Sequence, residues 1–272
     1  MGAAMRKLLL ASSALVFAGS AGAADLRMPV KAAPVVAAVP YTWTGCSVGG
    51  HIGAGWNRTS FTDPGNSAFF FGFPTPTLAP VGSSIGVNSS AGVLGGVQAG
   101  CDYQFASNWV IGIGGDVAWT DIHGAANDPF FVGKNGAPVP LSTRTEAIAS
   151  LTGRLGYAWD RYLIYGKAGG AWARDRYSIT NLNCTFLATC NLSGSTDRAG
   201  WTAGVGLEWA FAPNWSALVE YNHYGFGNNS VSFTDPALPF LLLRYDVRQD
   251  IDVVKVGINY RFGGPGAVVA RY

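Results

Sequence analysis

Gly95-Gly96-Val97-Gln98-Ala99-Gly100-Cys101-Asp102-Tyr103-Gln104-Phe105 alternates without a break. Val97, Ala99, Cys101, Tyr103 and Phe105 share one face, while Gly96, Gln98, Gly100, Asp102 and Gln104 share the other. Side chains leave an extended backbone in opposite directions, so a period of two marks a strand with one apolar and one polar side. With Val93 in phase, the strand covers Ala91–Phe105.

The same alternation recurs between turn-rich stretches, giving eight segments in all. The other seven are Gly45–Trp56, Trp109–Asp121, Thr145–Trp159, Tyr162–Arg174, Ala199–Phe211, Trp215–Tyr224 and Gln249–Phe262. Segments of about ten residues with period two are the signature of transmembrane barrel strands. The connections alternate as well. Ala106-Ser107-Asn108, Asp160-Arg161 and Ala212-Pro213-Asn214 are tight turns, whereas Asn57–Ser90, Ile122–Arg144, Asp175–Arg198 and Gly225–Arg248 read as long loops. Short periplasmic turns and long external loops suit an all-β, eight-stranded antiparallel up-and-down transmembrane β-barrel. Nothing between the strands has a helical pattern, which excludes a parallel α/β fold.

The tryptophans decide which face meets lipid. Threading the segments up and down places Trp109, Trp159, Trp209 and Trp215 at the short-turn end, with Tyr103, Tyr162, Tyr260 and Phe262. Trp56, Trp119, Trp172 and Trp201 fall at the long-loop end. That is too much ring volume for an eight-stranded lumen, and a soluble core would not sort its rings into two belts. At about 3.3 Å per residue and a tilt near 40°, ten residues span roughly 25 Å, the height of an outer-membrane apolar band. Trp favours that interface because its ring is apolar and its N–H needs a polar partner.

The rest of the chain agrees. Charged residues are 12%, about half the usual share, with 37 Gly and 13% aromatics, a composition too uncharged for disorder and too Gly-rich for helices. A net charge of +2 gives no reason to expect a nucleic-acid partner. Met5-Arg6-Lys7, the apolar run Leu8–Ala18 and the small residues to Ala23 form a secretory signal peptide over residues 1–23. Residues 24–43, with Pro29, Pro34 and Pro40, read as a periplasmic lead, residues 44–262 as the barrel and residues 263–272 as a tail.

The polar face carries Asp102, Asp116, Arg154, Lys167, Glu208, Glu220, Lys255 and Arg261, with Gln98 beside them. Arg154, Lys167, Glu220 and Lys255 each lie five residues from a lower-belt aromatic, an equal spacing that brings these four together near mid-height. An eight-stranded barrel is filled by its own side chains, so these charges are read as a paired plug; a charged constriction that selects solutes is the alternative. Cys184 and Cys190 lie close enough in sequence to close a short disulfide. The register that opposes Trp56 to Ala91 also opposes Cys46 to Cys101, which permits a cross-strand bond, though spacing alone leaves connectivity open. His51, His123 and His223 sit in separate elements without metal-ligand spacing, and Gly53-Ala54-Gly55 and Gly112-Ile113-Gly114-Gly115 have no following helix to cradle a nucleotide. No catalytic residue, metal or cofactor is expected, and the chain is not read as an enzyme. The tracts Phe69-Phe70-Phe71-Gly72-Phe73-Pro74 and Pro239-Phe240-Leu241-Leu242-Leu243 are apolar in nominally exposed loops. They are read as folding over the barrel mouth or lying against lipopolysaccharide; contact with host or neighbouring-cell surfaces, or binding of an apolar ligand such as haem, is the alternative.

A family resemblance rests on three stretches. Tyr41-Thr42-Trp43-Thr44-Gly45-Cys46-Ser47-Val48-Gly49-Gly50-His51-Ile52-Gly53-Ala54-Gly55-Trp56 resembles the opening strand of the RopB-type, opacity-like small outer-membrane proteins, often labelled "porin family". Gly95–Phe105 is similar to their second strand, and Val253-Val254-Lys255-Val256-Gly257-Ile258-Asn259-Tyr260-Arg261-Phe262-Gly263-Gly264 to their closing one. The resemblance implies a Gram-negative outer-membrane location, an eight-stranded barrel and contact with the barrel-assembly machinery. Family members are described as structural surface proteins, porin-like proteins or haemin binders, which would make His123 or His223 a candidate haem ligand; a solvated or rim histidine is the reading preferred for both. Such barrels usually end on the aromatic residue of the last strand; here Phe262 holds that place and Gly263–Arg271 follows before a terminal Tyr272.

Overall fold

A computed structural model describes residues 41–64, 68–70, 73–75, 82–89, 91–129, 136–183, 189–235 and 238–262. The segments read as signal peptide and tail, most of the stretch read as a lead, Cys184 and Phe71-Gly72 lie outside the described residues. The strands are β1 (Gly45–Thr62), β2 (Ala68–Phe70), β3 (Phe73–Thr75), β4 (Ser84–Asn88), β5 (Gly92–Phe105), β6 (Trp109–Asp128), β7 (Val139–Trp159), β8 (Tyr162–Asn183), β9 (Thr189–Ala212), β10 (Trp215–Asp235) and β11 (Leu238–Phe262). Eight of them, β1 and β5 to β11, pair antiparallel in chain order, and β11 returns to β1 from Cys46↔Phe262 to Thr62↔Asp246. The ring is therefore closed. In hydrocarbon this closure is obligatory, because an open edge would leave peptide groups unpaired. The chain is an eight-stranded antiparallel barrel.

The short turns also tie neighbouring hairpins together. Asn108 donates from Nδ2 to the Ala158 carbonyl at 2.7 Å, and its own carbonyl accepts the Ala158 N–H. Asn214 holds Arg261 through the same two-way pattern at 2.8 Å. Ala106, Ser107 and Asp160 take positive φ in these turns. Cys46 opposes Cys101 in the β1–β5 register and is bonded to it. Cys190 is also disulfide-bonded.

The four stretches read as long loops are largely strand. β6 runs on to Asp128 and β7 begins at Val139; β8 and β9 reach Asn183 and Thr189; β10 and β11 meet at Asp235 and Leu238. The two apolar tracts pair with each other, Phe69 opposite Leu242 and Ala68 opposite Leu243. The barrel thus continues past the membrane as an extension. Its polarity is inverted there. On β11 the outward positions Val254, Val256, Ile258, Tyr260 and Phe262 are exposed apolar groups, but Arg244, Asp246, Arg248 and Asp250 take the same face higher up. Inward, Lys255, Asn259 and Arg261 give way to Val253, Ile251 and then Val247, Tyr245 and Leu243.

The inward apolar groups of the extension form one buried cluster, including Phe61, Val87, Leu141, Tyr177, Ile179, Leu192, Phe233, Tyr245 and Val247. Phe61 and Phe233 meet the rings of Tyr177 and Tyr245 edge-on at centroid distances of 5.6 to 6.3 Å. Bulges between Thr145 and Ala147 on β7, and between Phe226 and Asn229 on β10, shift which sequence parity faces inward. A second buried cluster, with Ile122, Ile148, Phe226 and Ile251, lies between this extension core and the polar lumen below.

Because the extension has its own core, it should fail on its own. Phe233→Ala is expected to cost roughly 3–5 kcal/mol there. Limited proteolysis of vesicle-reconstituted protein should then cut the extension and leave a membrane fragment that still shifts on heating in gels. Resistance equal to wild type would contradict this inverted core.

Candidate functional site

From the periplasmic end upward, the lumen opens on a residue the lead was read to contain. Trp43 is fully buried in the lower mouth beside Val110, Ala158, Leu163 and Tyr165. Its N–H donates to Gln104 Oε1 at 2.8 Å, its indole N–H donates to the Asp160 carbonyl at 3.2 Å, and its own carbonyl accepts Arg261 Nη1 at 2.6 Å. The Arg261 guanidinium also lies 5.2 Å from the ring centroid, within cation–π range. An indole among the small residues and prolines of the lead was the one sequence signal for this.

Above Trp43 the eight lumen charges divide into two quartets. Arg154 donates from Nε to Asp102 Oδ1 at 2.6 Å and from Nη1 to Glu208 Oε2 at 3.3 Å. Arg261 lies 2.9 Å from Asp102 Oδ2 and 3.7 Å from Glu208 Oε1. In the second quartet, Lys167 Nζ lies 2.8 Å from Glu220 and 3.8 Å from Asp116, and Lys255 Nζ lies 3.1 Å and 3.4 Å from the same two. Each quartet holds two cations and two anions.

Their strands alternate. Asp102, Arg154, Glu208 and Arg261 come from β5, β7, β9 and β11; Asp116, Lys167 and Glu220 come from β6, β8 and β10, with Lys255 from β11. Inward residues of every second strand share a level in a tilted barrel, which sorts the charges this way. The expected meeting of Arg154 with Lys167, Glu220 and Lys255 is corrected by this layering. Arg154 opposes Lys167 across β7–β8, and its guanidinium turns from that like charge toward the carboxylates of Asp102 and Glu208.

Neutral hydrogen-bond partners flank each site, as burial of charge favours. Ser150 donates to Asp116 at 2.6 Å, Asn259 to Glu208 at 3.2 Å and Gln98 to Asn259 at 2.7 Å. Tyr165 joins the layers: its hydroxyl donates to Glu220 at 2.6 Å, and Arg154 sits over its ring. The ring fits because Gly206 faces it, where any Cβ would overlap its atoms. A space of about 50 Å³ remains between the quartets, lined in part by Gln98, Thr152, Lys167 and Asn259. It has room for roughly three waters.

Inside the extension's neck lies a further polar layer that sequence reading missed, because Asp175, Tyr177 and Arg198 fall in a stretch read as a loop, while Thr145 and Gln249 stand at the very start of strands. Thr145 donates to Asp175 at 2.6 Å, Tyr177 donates to Gln249 at 3.0 Å, and Arg198 donates from Nη1 to the Val247 carbonyl at 3.1 Å. Burial pushes the Asp175 carboxyl above its ordinary range, although Thr145 and Arg198 pull it back.

On the outer wall, the lower aromatic residues touch in sequence around the ring. Trp109 packs on Tyr157, Tyr162 stacks between Trp159 and Trp209, and Trp215 packs on Tyr260. At the other end Trp119, Trp172 and Trp201 are exposed and Trp56 is half-buried. Trp201 lies against Gly225 and the ring of His223. His223 Nδ1 is 2.8 Å from Asp252 Oδ1, which also accepts the Tyr221 hydroxyl. His123 is exposed at the rim near Asp121, and His51 is buried inside. The three histidines stand apart, and the described residues contain no metal-binding group of His, Cys, Asp or Glu.

Comparison with known proteins places this geometry. Residues 11–262 match the model of the outer membrane protein beta-barrel domain family. A 31 kDa outer-membrane immunogenic protein of Brucella melitensis is 32% identical over 260 residues, covering 95% of this chain and all of that protein. A 25 kDa outer-membrane immunogenic protein of Brucella abortus is 27% identical over 261 residues, covering 95% of this chain and 99% of that protein. Among solved structures, the outer membrane protease OmpT from Escherichia coli covers 83% of this chain and 99% of its own at 7% identity and TM-score 0.49. The outer membrane protein OprG from Pseudomonas aeruginosa covers 80% and 97% at 12% identity and TM-score 0.38. The chain belongs to the outer membrane protein beta-barrel domain family and is an outer-membrane protein.

Proposed function

We propose that this chain is a structural and surface-interaction barrel of the opacity-like kind, with a lumen closed to solutes and no enzymatic activity. The observation that carries the reading is the pair of neutral, hydrogen-bonded quartets stacked across the lumen, with Trp43 beneath them. A selective pore would need an unpaired constriction and a continuous aqueous path. Here charge is matched to charge at both levels, and the buried apolar clusters of the extension lie above. Relatives named as immunogenic outer-membrane proteins support a role that the outer surface performs. Its partners would be outer-membrane lipid and lipopolysaccharide, the barrel-assembly machinery, and host or neighbouring-cell surfaces.

Purified protein in planar bilayers should show no stable single-channel steps; reproducible steps would overturn the closed-lumen reading in favour of a porin. The quartets should also be costly to break. Lys255→Met leaves Asp116 and Glu220 sharing Lys167, and is expected to cost roughly 3–5 kcal/mol. Urea unfolding in lipid vesicles measures that loss, and an unchanged midpoint would refute it.

A further inference from the structure

The outer wall of the extension has two unlike sides. On one, β4 pairs edge to edge with β1 and the β2–β3 hairpin pairs edge to edge with β11. On the other, strands β6 to β10 form a groove of about 1100 Å³. Height is its first telling property. Asp121, which lines the groove, is the next outward residue on β6 after Trp119, and Arg176 on β8 is four residues beyond Trp172. The groove therefore opens sideways at the level where headgroups of the surrounding outer leaflet must lie.

Its chemistry is the second. The wall of β7 to β10 presents hydroxyls, among them Ser142, Ser178, Ser193 and Ser232, and among the described residues no Leu, Ile, Val or Phe lines it. Arg144 and Arg176 stand among those hydroxyls. Arg144 pairs with Asp121 at 3.2 Å and Arg176 with Glu146 at 3.1 Å, with side-chain exposures of 59% and 68% for the two arginines. Ion pairs this exposed contribute little and exchange readily for a better anion. A guanidinium binds phosphate oxygens through two parallel N–H bonds, and serine hydroxyls both donate to and accept from sugar hydroxyls. A concave wall of hydroxyls with two arginines at headgroup height fits a phosphorylated saccharide attached to a lipid.

We infer that this groove binds the phosphorylated inner saccharide of lipopolysaccharide in the adjoining outer leaflet. The inference rests on the surface-interaction reading and gives it a ligand and a site. A soluble polysaccharide would approach from above, whereas a groove that starts at the aromatic belt favours a molecule already in the membrane.

The test uses the full mature chain folded in detergent, titrated with rough-form lipopolysaccharide by thermophoresis. Arg144→Gln with Arg176→Gln should raise Kd tenfold or more, while Arg248→Gln on β11 should leave it within twofold. Ser193→Leu with Ser232→Leu fills the groove at positions paired with neither arginine and should weaken binding similarly. Lipopolysaccharide stripped of phosphate should bind wild type and the arginine pair variant equally weakly. An arginine pair variant with wild-type affinity, or phosphate-free lipid bound as tightly as the intact form, overturns the site. A soluble sulfated oligosaccharide that binds more tightly than lipopolysaccharide overturns the membrane source. Heat-dependent gel mobility confirms that each variant is folded. The closed-lumen reading stands or falls on conductance, so the two failures are distinguishable.

Discussion

In hydrocarbon an unsatisfied peptide N–H or C=O costs several kcal/mol, and the β1–β11 seam removes the last open edge of this sheet. Most other features descend from that closure. A ring of eight strands has an interior only as wide as its own side chains, so every inward residue meets residues from across the barrel. Charges placed there have no bulk water to turn to. They are tolerable when neutralised and hydrogen-bonded locally, which is the state of both quartets.

The same closure explains the inversion of polarity. Within the membrane the apolar face must point to lipid, leaving polar groups for the lumen. Above it the outside is water, and the hydrophobic effect acts in the opposite direction. Arg244, Asp246, Arg248 and Asp250 therefore share a face with Val254, Val256 and Ile258, while Leu243, Tyr245 and Val247 share one with Lys255 and Arg261. One strand can serve both solvents because its side chains alternate continuously. The membrane boundary is where the two rules exchange, between Asp252 and Val254 on β11.

That exchange also marks what the sequence could convey. Within the membrane, uniform alternation made strands such as Gly95–Phe105 legible, and the Cys46–Cys101 register followed from opposing Trp56 to Ala91. Reading alternate positions collected the eight lumen charges but not their division into layers, because strand shear has no signature in any single segment. Past the rim the pattern reverses its sense, and on β7 the extra residue near Glu146 reverses its parity as well. Apolar residues such as Phe233 and Leu243 then look like exposed loop residues, when they face a core. Trp43 was hidden differently. It precedes the first strand and obeys no alternation, and its place follows from Arg261, some two hundred residues away in sequence.

These constraints also direct where recognition can occur. The membrane lumen is committed to the two quartets, and the extension interior to an apolar cluster with one polar neck. Neither can reorganise around a ligand without uncovering buried charge or opening a packed core. The outer wall of the extension is under no such demand, since its side chains face water and its exposed ion pairs contribute little to stability. Substitutions there leave the ring, the quartets and the inner core untouched. A barrel whose interior is required for folding has its outer wall available for binding, and the side of β6 to β10 is where that wall is both concave and hydroxyl-rich.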